Sequence, residues 1–115
     1  MAELEWLPWL VGEGLRERAR VILDLSRCGR RAITPSMTRG YTHEVGWHWA
    51  QVTSEDLDLT CSLVDARRLW VGDTVGVDSY VVIDREQVVM HRLEITNGGM
   101  WLLDELTDLS GGETR

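Results

Sequence analysis

At 115 residues the chain has room for one domain of ordinary size; a second would need about another 100 residues. An apolar fraction of 43%, a charged fraction of 27% and only two prolines describe an ordered chain with a real core, which excludes a disordered one. The formal charge of −7 is unevenly spread: residues 1–40 hold seven arginines against five acids (+2) and residues 41–115 five against fourteen (−9), a balance that argues against nucleic acid as partner.

All twelve basic residues are arginine, phenylalanine is absent and tryptophan occurs six times, the composition of a high-GC genome. No run approaches the roughly 18 to 20 apolar residues that cross a bilayer, and the acidic start Met1-Ala2-Glu3 lacks the basic flank of a secretion signal. The expectation is a protein of the cytoplasm, or of a particle assembled inside the cell, without membrane contact. Cys28 and Cys61 are too few for a disulfide framework and stand in no Cys-x-x-Cys pair, so both read as buried thiols.

In chain order, residues 1–12 form an apolar arm. Leu4 to Val11 carries six apolar residues in eight, but Pro8 removes a backbone donor and biases Leu7 to an extended shape. Residues 13–29 read as an amphipathic helix, with Leu15, Ala19, Ile22, Leu23 and Leu25 on one side, Arg16, Arg20, Arg27, Glu13, Glu17 and Asp24 on the other, and Gly29 as the stop. Alternation of Ala19, Val21, Leu23 and Leu25 leaves a second reading open, a hairpin over 19–34 and an all-β barrel; Glu17 and Ile22 break that alternation and favour the helix.

Thr34 to Gly40 reads as a loop, after which the apolar period becomes two. Residues 43–103 read as an antiparallel sheet of about five strands. The first two are Val45 to Val52 and Leu57 to Leu63, then come Val75 to Ile83 and Gln87 to Ile95, and Met100 to Leu103 is the last, after a turn at Asn97-Gly98-Gly99. Short connections make it a curled meander, open to closing as a barrel, with the helix on one face: an α+β domain. Residues 104–115 read as an acidic surface tail that frays.

The string His43-Glu44-Val45-Gly46-Trp47-His48 invites comparison with a His-Glu-x-x-His zinc helix, but histidines five apart point about 140° apart on a helix and to opposite faces of a strand. No metal and no cofactor are expected. A gathering of His43, Glu44, His48 and His91 at one end of the sheet is the alternative that would make the chain a small enzyme or a ligand-binding barrel. Gly12-Glu13-Gly14 lacks the lysine and the preceding strand of a phosphate loop.

Six tryptophans without phenylalanine must partly be core, and Trp47, Trp49, Trp70 and Trp101 read so from their apolar surroundings. Trp6, Leu7, Trp9 and Leu10 in the arm, with the arginine face of Arg16, Arg20 and Arg27, read as a partner-binding surface. The function expected is therefore a non-catalytic interaction or assembly protein, such as an adaptor, an inhibitor or a structural subunit of a viral particle or a high-GC bacterium, binding a protein or its own copies. The arginine face is also what a nucleic-acid binder would use, a weaker reading in so acidic a chain.

Overall fold

A computed structural model describes residues 7–43, 48–74, 80–83 and 85–112. The elements are helix α1 (Glu13–Arg27), strands β1 (Arg31–Ile33), β2 (Gly40–Thr42) and β3 (Ala50–Gln51), helix α2 (Ser54–Asp65), strands β4 (Leu69–Thr74), β5 (Tyr80–Ile83), β6 (Glu86–Val89) and β7 (His91–Ile95), and helix α3 (Asn97–Gly112). Five strands form one open antiparallel sheet in the order β3-β2-β1-β7-β4, and β5 and β6 pair as a separate two-stranded ribbon. The domain is α+β, as its periodicities imply.

The first helix lies where its apolar stripe places it, burying Ala19, Ile22, Leu23 and Leu25. It ends at Gly29, whose φ of 72° is cheap only without a side chain, and Arg30 N–H closes the turn on the Leu25 carbonyl at 2.8 Å. The hairpin alternative over 19–34 thus falls.

The apolar alternation over Leu57, Leu59, Cys61 and Leu63 turns out helical rather than extended. Thr53 caps α2 by accepting from Asp56 N–H at 3.2 Å, and Glu55 and Asp56 sit in the first turn, where carboxylates complement the helix dipole. Burial of Leu59, Thr60 and Leu63 follows the three-to-four residue spacing that the period-two reading overlooked.

A second correction concerns the C-terminal segment. Asn97-Gly98-Gly99 is a helix start and not a hairpin turn, and the expected strand at Met100 to Leu103 and the expected tail as far as Gly112 belong to α3, residues 113–115 lying outside the described ones. Thr96 caps this helix, its hydroxyl accepting from Gly99 N–H at 2.9 Å while donating to the Arg67 carbonyl at 2.6 Å. Leu102, Leu103 and Leu106 then enter the core.

The sheet is neither a simple meander nor a barrel. After β1-β2-β3, the chain crosses α2 to the far edge, and β7 returns to the middle, pairing with both β1 and β4. Helices α1, α2 and α3 cover one sheet face, burying Leu59, Leu63, Leu69, Leu93, Ile33 and apolar residues of α1 and α3 in one cluster. At about 2 kcal/mol per fully buried aliphatic side chain, this cluster supplies most of the driving force. On the opposite face a smaller cluster of Ala32, Tyr41, Val88 and Met90 is flanked by Trp49.

The expected strand from Val45 to Val52 contributes only Ala50–Gln51 among the described residues; Glu44 to Trp47 lie outside them, as do residues 75–79 of the expected strand Val75 to Ile83. Neither cysteine is fully buried: Cys28 is exposed beyond α1 and Cys61 is half-buried.

Candidate functional site

The free edge of the sheet at β4 is the most distinctive surface. Strand β4 has six residues and, among the described residues, a partner only on its β7 side, so its other side presents backbone N–H and C=O groups without a ladder. The opposite edge, β3, has two residues.

Register sorts the side chains of β4 into two rows. Leu69 and Val71 stand opposite Ile95 and Leu93 and face the helices, while Trp70, opposite Glu94, faces outward with 61% of its surface exposed. Beside this edge runs a groove of ≈ 600 Å³ lined by Val64, Arg67, Leu69, Trp70, Val71 and Thr96. Its walls are the end of α2, the turn into β4 and the strand itself.

The edge is interrupted rather than continuous. Pairing with β7 shifts between Val71 and Thr74, so a bulge at Gly72-Asp73 ends the regular stretch, and the His91 ring is bonded through Nδ1 to the Gly72 carbonyl at 2.8 Å. The Glu94 carboxylate lies over Gly72, 2.5 Å from where a Cβ would stand.

The N-terminal arm behaves differently from its sequence. Leu7 and Leu10 are 4% and 1% exposed and belong to the main core, so neither side chain is offered to a partner. Trp9 is 36% exposed and, with Leu7, Ser62, Asp65, Ala66 and Arg68, lines a second hollow of ≈ 560 Å³ beside α2. Trp6 lies outside the described residues.

The arginines of α1 are engaged locally. Arg16 donates to the Leu10 carbonyl at 3.2 Å, Arg20 bonds to Glu17, and Arg27 to Asp24. The Arg20 bond holds the Glu17 carboxyl below its usual range, and the Glu17 and Asp24 carboxylates raise Arg20 and Arg27 in turn. Arg18, which had no assigned role, instead bridges to Asp56 and Glu55 of α2.

The histidines are not brought together. His91 pairs with Ile33 in the row that faces the helices, whereas His43 follows Tyr41 in the opposite row and stacks on Trp49 at a centroid distance of 5.3 Å. His48 is exposed and Glu44 lies outside the described residues, among which no group of three or more metal-ligating side chains occurs. Cys61 is held by the Met37 carbonyl, and burial with the neighbouring Asp65 and Asp58 carboxylates pushes its thiol up, away from nucleophilic use.

Trp70 and Trp101, expected in the core, are the two most exposed tryptophans among the described residues, Trp101 at 70% on the outward face of α3 with Asp104 and Asp108. The signal was present for Trp70. In the run Leu69-Trp70-Val71, an antiparallel sheet covered on one face must turn one of the two rows outward, and that row is the tryptophan's. A comparison with protein families, curated proteins and solved structures finds no match to this chain.

Proposed function

We propose that this chain is a non-catalytic protein-interaction module that binds an extended segment of its partner along the free edge of β4. The observation that carries this reading is the combination of a strand edge with no partner among the described residues, an exposed tryptophan on it and an apolar groove alongside. Soluble proteins usually protect such edges with charge, proline or a bulge, and here the bulge begins only after Val71. Backbone groups of Leu69 and Val71, which alternate with those turned toward β7, would supply the ladder, and the indole would anchor alternate side chains of the incoming strand. The docking element is thus the sheet edge in place of the N-terminal arm, whose leucines hold the core together. Free thiols and an acidic surface fit work in the cytoplasm or in a particle assembled there.

A peptide-display selection against the wild-type chain tests the reading. Selected peptides should be extended and apolar at alternate positions, should slow amide exchange at Leu69 and Val71, and should lose binding to Trp70→Glu at unchanged melting temperature. Peptides that bind both forms equally and protect no β4 amide would overturn it.

A further inference from the structure

The sequence of the edge itself points to its occupant. From Arg67 to Asp73 the chain reads Arg-Arg-Leu-Trp-Val-Gly-Asp, cationic before the strand, apolar through its centre and anionic at its end. An antiparallel copy of the same strand reverses that order, so the Asp73 end of each copy lies beside the Arg67 end of the other. A parallel copy would instead place like charges together.

We infer that the occupant is a second copy of this chain, β4 pairing with β4 about a two-fold axis to join the two five-stranded sheets edge to edge. This rests on the reading of β4 as the docking edge.

Symmetry restricts the register. A two-fold axis perpendicular to the sheet keeps the helix layers of both copies on the same side, so residues can only face others of their own row. Trp70 and Gly72 form the outward row, and Leu69 and Val71 the helix-facing one. Centring the pair on Val71, the last residue before the bulge, sets Trp70 across from Gly72 of the other copy. An aromatic ring laid over an edge glycine is a known way of stabilising such a position. The Glu94 carboxylate leans over that same glycine and offers an acceptor to the incoming indole N–H. On the helix side, Val71 meets Val71 at the axis, and the Asp73 end of each copy lies beside the groove at the Arg67 and Leu69 end of the other.

Sedimentation equilibrium on the full chain, from roughly 1 to 100 µM, reads the association directly. The expected result is a reversible species of twice the 13.1 kDa chain mass, with Trp70→Glu raising its dissociation constant by about 30-fold or more while the melting temperature, compared at concentrations where both proteins are monomeric, stays unchanged. Register is read by Val71→Cys in a Cys28→Ser/Cys61→Ala background: directly opposed Cα atoms of an antiparallel pair lie about 4.5 to 5.5 Å apart, within the span of a disulfide, so mild oxidation should give a symmetric disulfide-linked dimer. Asp73→Cys, off the axis, should not cross-link. A chain that stays monomeric throughout, or a dimer indifferent to Trp70→Glu and not cross-linked through Val71→Cys, overturns the proposal. A monomer whose β4 amides are still protected by the selected peptides overturns self-association alone; a monomer that binds none of them overturns the edge reading as well.

Discussion

Asp56 shows how much one side chain can tie together. Its backbone N–H is capped by Thr53, its Oδ1 accepts from Arg18 Nε of α1 at 2.9 Å, and its Oδ2 lies 3.7 Å from Nη2 of the buried Arg31 on β1. Removing the charge leaves a buried guanidinium with less compensation, and Asp56→Asn is expected to cost about 1–3 kcal/mol in urea denaturation. The same change at the exposed Asp58 should cost almost nothing. A pH effect belongs to Glu17. Its carboxyl is held below the usual value, chiefly by the Arg20 hydrogen bond, so the pair contributes above the unfolded pKa and the contribution is lost as pH falls through the folded one. With half of the Glu17 side chain exposed, Glu17→Gln should lower stability by only about 0.3 kcal/mol at neutral pH and by nothing at strongly acid pH, as seen in melting curves across that range. Thiol titration with a disulfide reagent should find Cys28 reacting at once and Cys61 slowly, since burial keeps the latter protonated.

At the scale of elements, Gly99 sets packing against propensity. A glycine inside a helix is about 1 kcal/mol worse than alanine, yet a Cβ at Gly99 would stand 2.0 Å from the Arg68 carbonyl oxygen and 2.7 Å from Ile95. Gly99→Ala is therefore expected to destabilise by about 3 kcal/mol, because backbone at that distance must move; an unchanged melting temperature would show that α3 does not seat on the β4 turn. The same residue explains a misreading. Asn97-Gly98-Gly99 has the composition of a hairpin turn, and only the approach of the Arg68 carbonyl reveals that the glycine serves helix docking. α2 was legible in principle, since Thr53 with Asp56 three residues on is a capping signature, but the leucine alternation masked it.

At the scale of the whole molecule, the N-terminal arm completes the core. Leu7 and Leu10 join the cluster built by α1, α2, α3 and the sheet. The double change Leu7→Ala/Leu10→Ala should cost about 4 kcal/mol or more, whereas Trp70→Ala and Trp101→Ala should each stay within about 0.5 kcal/mol. Chemical denaturation of the three variants separates the residues that hold the fold from those offered outward. The opposite assignment was the natural reading of the sequence, because an indole looks like core and a proline-broken arm looks free. Exposure is a property of the assembled layers and is not encoded in residue type.

Patterns with a short range were decisive by themselves: the amphipathic stripe of α1, the glycine stop that follows it, and the antiparallel α+β class. Each depends on residues within one or two turns of each other, where periodicity and backbone sterics act directly. Tertiary structure alone decided that β7 inserts between β1 and β4, leaving β4 as the open edge, and that Trp70 faces outward from it. Strand order depends on contacts between residues some sixty positions apart, such as Ala32 with Arg92. Hydrophobic burial rewards any arrangement that covers the apolar rows, so the sequence pattern of one strand does not name its neighbour.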